Sequence, residues 1–384
     1  MKVKLFLSTY GLKYPFTGIG WYTYYLIRGL KEHNAIKQLI TTSTLHRHYD
    51  AAYKKNSFQS IINKLIQFFP GSYSFLHAYY NTSFLKRSRH FPLKKIIYHE
   101  PCYILRPYSG LKICSVHDLS HIYYPEFHPR ARVNFLLHYL PRSINEADHV
   151  ITGSYAIRDQ IINYFKIPSE KITVIYHGVS TVFKVRQCIE INSVLVRYGL
   201  LGKPYVLSVG TLEPRKNLVR LIRAFNSLPE RQRKQFPLVL VGTPGWDIGK
   251  LGKLIKQMVS KEELYYLGYV PSNDLPYLYS GAYAFVYLSL YEGFGLPLLE
   301  ALASGIPTLT SNISSMPEVV GDAALLVDPW DIAGIADSLN GLLNDNCLRA
   351  KLKKKGAFQA AQFSWKKCIN QTVGVYQNVL NLCS

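Results

Sequence analysis

The sequence predicts an α/β protein of two doubly wound, Rossmann-like domains. Three observations point there. At 384 residues the chain exceeds what one hydrophobic core usually serves. Short apolar runs alternate with longer amphipathic ones, the pattern of β/α units around parallel sheets. Three glycine-bearing segments, around Gly18, Gly210 and Gly293, each fall between a strand and a helix.

In the first half, buried strands are expected at 3–8, 95–98, 111–116, 149–152 and 172–175, with helices at 21–33, 133–146 and 156–165. In the second half, strands are expected at 205–209, 238–241, 264–267, 284–287, 308–310 and 324–327. Helices follow at 218–226, 273–280, 298–303, 316–320 and 331–343. The linker is placed near 181–193, giving one domain over 1–183 and a second over 184–362. The string Phe363-Ser364-Trp365-Lys366-Lys367 opens a last helix. Paired domains of this kind bind ligands beyond the carboxyl ends of their strands, so the chemistry is expected in the cleft between them.

The opening residues Met1–Ser8 are too short and too interrupted by lysine for a signal peptide, and no apolar run reaches the roughly 18–20 residues of a membrane span. The six cysteines are scattered, without the Cys-x-x-Cys spacing of a zinc or redox site, which suits a reduced cytosolic compartment.

Charge is the compositional outlier. The net charge is +21, with 23 basic against 9 acidic residues in 1–183 and 22 against 15 in 184–384. Nucleic-acid binding would need a zinc finger, helix-turn-helix or RNP motif, and the sequence has none. A solvated basic surface and attraction to anionic lipid head groups are both open; the second is the reading taken. Two segments could carry it: 54–69, with apolar residues at near-helical spacing between basic ones, and the cluster Lys86-Arg87-Ser88-Arg89-His90 with Lys94-Lys95.

Two stretches carry the chemistry. In Tyr291-Glu292-Gly293-Phe294-Gly295-Leu296-Pro297-Leu298-Leu299-Glu300, glycines permit an irregular turn after a strand, and Pro297 sits where a helix begins. The amides of Phe294, Gly295 and Leu296 would then point from a helix N-terminus, which holds phosphate well. Two carboxylates beside an anion site suit sugar hydroxyls, from which they accept strong hydrogen bonds. The alternative is an ordinary strand-turn-helix with a surface Glu and a capping contact. In Gly210-Thr211-Leu212-Glu213-Pro214-Arg215-Lys216-Asn217, Arg215 and Lys216 bring positive charge to a strand's end, where a pyrophosphate could sit. A merely solvated Arg-Lys pair is the competing reading.

These strings resemble the donor domain of family 4 glycosyltransferases, enzymes of GT-B architecture with two facing Rossmann-like domains. The resemblance runs nearly unbroken from Tyr205 to Trp330 and includes Ala303-Ser304-Gly305-Ile306-Pro307 and Pro317-Glu318-Val319-Val320-Gly321-Asp322. It implies that Lys216 and Arg215 neutralise the donor's diphosphate and that Glu300 holds the ribose hydroxyls. It likewise implies that Glu292 contacts the donor sugar, with Phe294, Gly295 and Leu296 near sugar and phosphate, and that the backbone at Tyr269 and Val270 meets the base. Many members carry an Arg directly after the glycine at 210; this chain has Thr211, so Arg215 would have to compensate.

The first half resembles the family more loosely. Tyr14-Pro15-Phe16-Thr17-Gly18-Ile19-Gly20-Trp21 reads as a loop before the first helix, and the resemblance has Gly18 and Gly20 close over the donor phosphates. His117, in Ser115-Val116-His117-Asp118-Leu119-Ser120, falls at the end of a strand; the resemblance has it touch the transferred sugar. Asp118 either orients that imidazole or caps the next element. His99-Glu100-Pro101 resembles a subfamily pattern without an assignable role. The last helix, 363–384, is implied to cross back onto the first domain.

The implied reaction transfers a hexose with retention of configuration from a nucleotide-diphosphate sugar. Retention could proceed through a carboxylate nucleophile or with the leaving diphosphate taking the acceptor's proton on the same face. The resemblance favours the second. No Asp-x-Asp string is present for a divalent metal, so no metal and no cofactor are expected. The strings look most like bacterial mannosyl- and rhamnosyl-transferring members of surface polysaccharide and lipopolysaccharide synthesis, which implies GDP-mannose as donor. A glycan acceptor, lipid-linked, and a place at the cytoplasmic face of the membrane follow. The competing readings are a GT-B-shaped epimerase or phosphorylase and a non-catalytic sugar-nucleotide-binding subunit.

Overall fold

A computed structural model of the chain describes residues 2–12, 16–42, 72–88, 96–245 and 249–382. Of the basic segments, 54–69 and 89–95 lie outside the described residues, as do Tyr14 and Pro15. The chain divides into two compact units, Met1–His177 with Trp365–Ser384, and Gly178–Ser364. Among the described residues, no helix is long and apolar enough to cross a membrane.

The first unit holds a six-stranded parallel sheet in the order β2-β1-β3-β4-β5-β6. Its strands are β1 (Val3–Leu7), β2 (Ile36–Thr41), β3 (Ile97–Glu100), β4 (Lys112–Ser115), β5 (His149–Thr152) and β6 (Ile172–Val174). Chain order reverses across β1, so the switch point lies between β1 and β3. The first helix, Gly18–Glu32, buries Tyr22, Leu26, Ile27 and Leu30. The last helix, Trp365–Asn381, buries Cys368, Ile369, Val373 and Tyr376 into the same core as β1 and the first helix. Each such side chain contributes about 1.5–3 kcal/mol on burial.

The second unit repeats the plan with the order β12-β11-β10-β7-β8-β9. Its strands are β7 (Val206–Val209), β8 (Leu238–Val241), β9 (Leu264–Gly268), β10 (Ala284–Tyr287), β11 (Thr308–Ser311) and β12 (Leu325–Val327). β7, β8 and β9 run to one side, then β10 returns to the other side of β7. The switch point is therefore between β7 and β10, where the two helices that follow diverge and leave room for a ligand.

The structure differs from expectation at several places, and the helices Glu230–Gln235, Gly249–Val259 and Asn346–Ala361 were not expected at all. β2 was not expected: as an edge strand with half-buried residues it lacks an apolar run. The strand expected at 95–98 lies at Ile97–Glu100, because Glu100 is fully buried and continues it. The helix Cys188–Arg197, started by a capping box between Gln187 and Glu190, begins inside the region read as linker and runs past it. The first helix begins at Gly18, so Gly18 and Gly20 occupy its first turn instead of a loop. Phe16 packs on Trp21 at 5.1 Å, a hydrophobic staple across the Thr17 cap that fixes this start.

Candidate active site

In the second unit, two turns converge at the switch point. The first leaves β7. Gly210 and Gly242 approach so closely that a Cβ on Gly242 would lie 1.9 Å from the Gly210 carbonyl oxygen, and Gly242 has φ +149. Only glycine fits there. The chain then runs through Thr211 and Leu212, pairing beyond the strands through Leu212 N–H to Thr243 O at 2.9 Å. A short 3-10 turn, Pro214–Lys216, follows. It points both cations inward.

The second turn leaves β10 and is held by the residues after β11. The Ser314 hydroxyl donates to the Glu292 carbonyl at 2.6 Å, and the Ser315 hydroxyl donates to the Phe294 carbonyl at 2.9 Å. Gly295, at φ +106, caps the helix Leu296–Ala303, with Pro297 in its first turn. The backbone of 294–296 therefore stands at the N-terminal end of that helix, as its sequence implies.

Where the turns meet, four charged side chains interlock. Lys216 Nζ donates to Glu292 Oε1 at 2.5 Å and to the Tyr287 hydroxyl at 2.6 Å. Tyr287 donates in turn to Glu292 Oε1 at 2.8 Å. Arg215 pairs with Glu292 Oε2 at 2.9 Å and with Glu213 Oε1 at 2.6 Å, and its Nη1 donates to the Tyr291 carbonyl. All four side chains are largely buried. Burial alone would raise the Glu292 carboxyl, but Arg215 and Lys216 outweigh it and hold it at about 2. The cluster is thus two cations balanced by two carboxylates. Its cations are fixed in place, and its Glu292 contact is one that an arriving dianion could replace.

Glu300 lies one turn inside the helix and faces Tyr279; burial pushes its carboxyl up to about 7. Tyr269 and Val270 follow β9, two strands away along the same carboxyl edge, Tyr269 exposed and Val270 buried. Sequence reasoning had Glu213 inside its string without a role and passed over Tyr287, Ser314 and Ser315. A carboxylate two residues before Arg215 was the only signal for the first. The others are linked to the site by contacts across strands.

The remaining expected residues belong to the first unit. His117 follows β4 and is buried. Its Nε2 lies 2.7 Å from the Pro101 carbonyl, so the ring is protonated there and Nδ1 is left as acceptor. Burial lowers its pKa, only partly offset by the Pro101 bond and Asp118, which keeps it neutral. The Tyr22 ring meets it edge-on at 4.9 Å, tying it to the helix that Gly18 and Gly20 begin. The Asp118 carboxylate accepts from the Ser120 N–H at 3.0 Å and hydroxyl at 2.7 Å. Both bonds lie in the turn that leads into Ser120–Tyr123, and the Asp118 charge also acts on His117.

The described residues contain no group of three or more His, Cys, Asp or Glu placed to hold a metal ion. The chain matches the family described as "Glycosyltransferase Family 4" over residues 16–183 and "Glycosyl transferases group 1" over residues 198–358. It is 36% identical over 381 residues to O-antigen chain mannosyltransferase B of Escherichia coli, covering 98% of this chain and all of that one. It is 33% identical over 219 residues to O-antigen chain mannosyltransferase RfbU of Salmonella typhimurium, covering 56% of each. Among solved structures it superposes on HepE from Anabaena in complex with UDP-glucose, with a TM-score of 0.72 at 17% identity, over 98% of this chain and all of that one. WaaG, a glycosyltransferase of lipopolysaccharide biosynthesis, gives a TM-score of 0.70 at 16% identity, over 97% and 99%.

Proposed function

Because the chain belongs to the family 4 glycosyltransferases, of GT-B architecture, we propose that it is a mannosyltransferase acting in O-antigen or related lipopolysaccharide synthesis. The observation that carries this reading is the 36% identity, along essentially the whole of both chains, to an O-antigen chain mannosyltransferase. The donor is a nucleotide-diphosphate mannose, GDP-mannose in the first instance, and the acceptor a lipid-linked glycan.

The cluster supports the chemistry. A nucleotide diphosphate brought to the carboxyl ends of β7 and β10 meets Lys216, Arg215 and the N-terminal end of Leu296–Ala303. Charge builds on the leaving diphosphate in the transition state, and these fixed positive groups stabilise it there. As the phosphates take over Lys216, Glu292 is released from its ion pair and can accept hydroxyls of the donor sugar. Glu300 takes the ribose hydroxyls, and the backbone at Tyr269 and Val270 meets the base. With the positive charge supplied by side chains, no divalent metal is required. His117, neutral and with Nδ1 open to accept, takes a hydroxyl of the transferred sugar. The leaving diphosphate deprotonates the acceptor on the same face, so configuration is retained.

The enzyme works at the cytoplasmic face of the membrane, its +21 charge drawing it to anionic lipid. The test is a panel of nucleotide sugars with lipid-linked glycan. Mannose transfer and nucleotide release with GDP-mannose are expected; binding without release would favour a non-catalytic subunit.

A further inference from the structure

Glu100 is a buried carboxyl that the proposed reaction does not use. It ends β3, next to the strand that His117 follows, and is 1% exposed. A carboxyl is costly there: burial pushes it up to about 7 despite Arg106 and the donors of Tyr98, Ser8 and Cys102. Its two oxygens are engaged. Tyr98 donates its hydroxyl to Oε2 at 2.8 Å, and the Cys102 N–H donates to Oε1 at 3.1 Å.

That N–H belongs to the same peptide unit as the Pro101 carbonyl. The unit is planar and rigid, with N–H and C=O pointing in opposite directions. Its nitrogen end is held by Glu100 and its oxygen end accepts from His117 Nε2 at 2.7 Å. One peptide bond therefore connects a buried carboxyl to the imidazole. A hydrogen bond at one end of an amide polarises the other, so the carboxyl strengthens the carbonyl's hold on the ring. The next residue, Tyr103, has φ +61, a backbone conformation disfavoured for a tyrosine, so this turn does not take its shape from local preference alone.

We infer that Glu100 is a positioning residue for His117, acting through the Pro101–Cys102 peptide to fix the ring's orientation and its Nε2–H tautomer. A buried carboxylate that holds an imidazole directly does the same work in hydrolytic triads. Here the peptide stands between the two groups. The inference rests on the reading of His117 as a group that meets the donor sugar.

The test uses the full-length protein with isotope-labelled histidine, in a long-range nitrogen–proton correlation spectrum, the His117 signals being those lost in His117→Ala. Glu100→Ala should turn the single Nε2–H pattern of His117 into a mixture of tautomers. It should lower transfer on the order of tenfold to a hundredfold, the loss seen when the outer partner of a metal-bound imidazole is removed. Glu100→Gln, whose amide oxygen still accepts from Cys102, should restore the tautomer. Glu100→Asp keeps a charge near Arg106 but withdraws from Cys102; it should behave like alanine and serves if the alanine variant fails to fold. In a His117→Ala background, Glu100→Ala should add no further loss. An unchanged His117 spectrum in a folded Glu100→Ala or Glu100→Asp protein, or losses that multiply in the double variant, would overturn the inference. If His117→Ala transfers at the wild-type rate, the reading of His117 fails, and the spectrum still decides whether Glu100 fixes the ring.

Discussion

Lys216 Nζ and Glu292 Oε1 lie 2.5 Å apart, although 76 positions separate them in the chain. They meet because β7 and β10 are neighbours across the point where the sheet reverses its chain order. Each residue sits in the turn after its strand. The topology thus brings a cation and a carboxylate together at the place where open α/β sheets receive their ligands.

Replacing Lys216 with alanine removes the group proposed to stabilise the leaving diphosphate. Glu292 keeps Arg215 as a partner, so the fold should survive with a small change in melting temperature. Turnover should fall by about a hundredfold to a thousandfold, the loss typical when one preorganised charge-stabilising group is removed. Initial rates and a melting curve on the same preparation check this.

On the role proposed for Lys216 and Arg215, transfer should proceed unchanged in excess EDTA. Rates measured with EDTA, magnesium and manganese check it. Strict dependence on either metal would contradict the role given to Lys216 and Arg215.

Glu292 gives a pH signature. Its folded-state pKa, about 2, lies below the ordinary carboxylate value, so its stabilisation is complete above about pH 4.5. As pH falls through about 2 the stabilisation is lost, on the order of 3 kcal/mol in all. Denaturant titrations of the wild type from neutral to strongly acid pH should show this loss. In Glu292→Gln the acid slope should be shallower, and the stability at neutral pH already lower.

How much of this was legible in the sequence depends on the range of the contact. The helix Leu296–Ala303 and the place of Glu300 one turn inside it follow from a local string, as do the buried strands with continuous apolar runs. The short turn that aims Arg215 and Lys216 is local too. The partners of those cations were less legible. Tyr287 looks like any strand-ending aromatic until β7 is placed beside β10, and Glu213 looks like a turn residue until Arg215 folds back on it. The helix Cys188–Arg197 was hidden because its capping residue is Gln187, not one of the usual short polar caps. Gly18 and Gly20 read as a loop because glycine is a poor helix former; the Phe16–Trp21 contact overrides that preference.

Glu300 gives a second pH signature, of opposite sign. Burial raises its carboxyl to about 7, with Tyr279 opposing. An ionised carboxylate accepts two hydroxyls better than a protonated one. Nucleotide-diphosphate affinity should therefore tighten between about pH 6 and pH 8, with proton uptake by the buffer on binding. Titration calorimetry in buffers of different ionisation enthalpy measures both. In Glu300→Gln the affinity should be weaker and flat across that range.

The central claim is retaining mannosyl transfer from a nucleotide diphosphate, with charge stabilisation at Lys216 and Arg215. The most direct measurement is the anomeric configuration of the product formed from GDP-α-mannose and a lipid-linked acceptor, read from the one-bond carbon–proton coupling at the new linkage. The account predicts an α-mannoside, formed by the wild type and nearly absent with Lys216→Ala. A β-mannoside, or α-mannoside formed undiminished without Lys216, would contradict it.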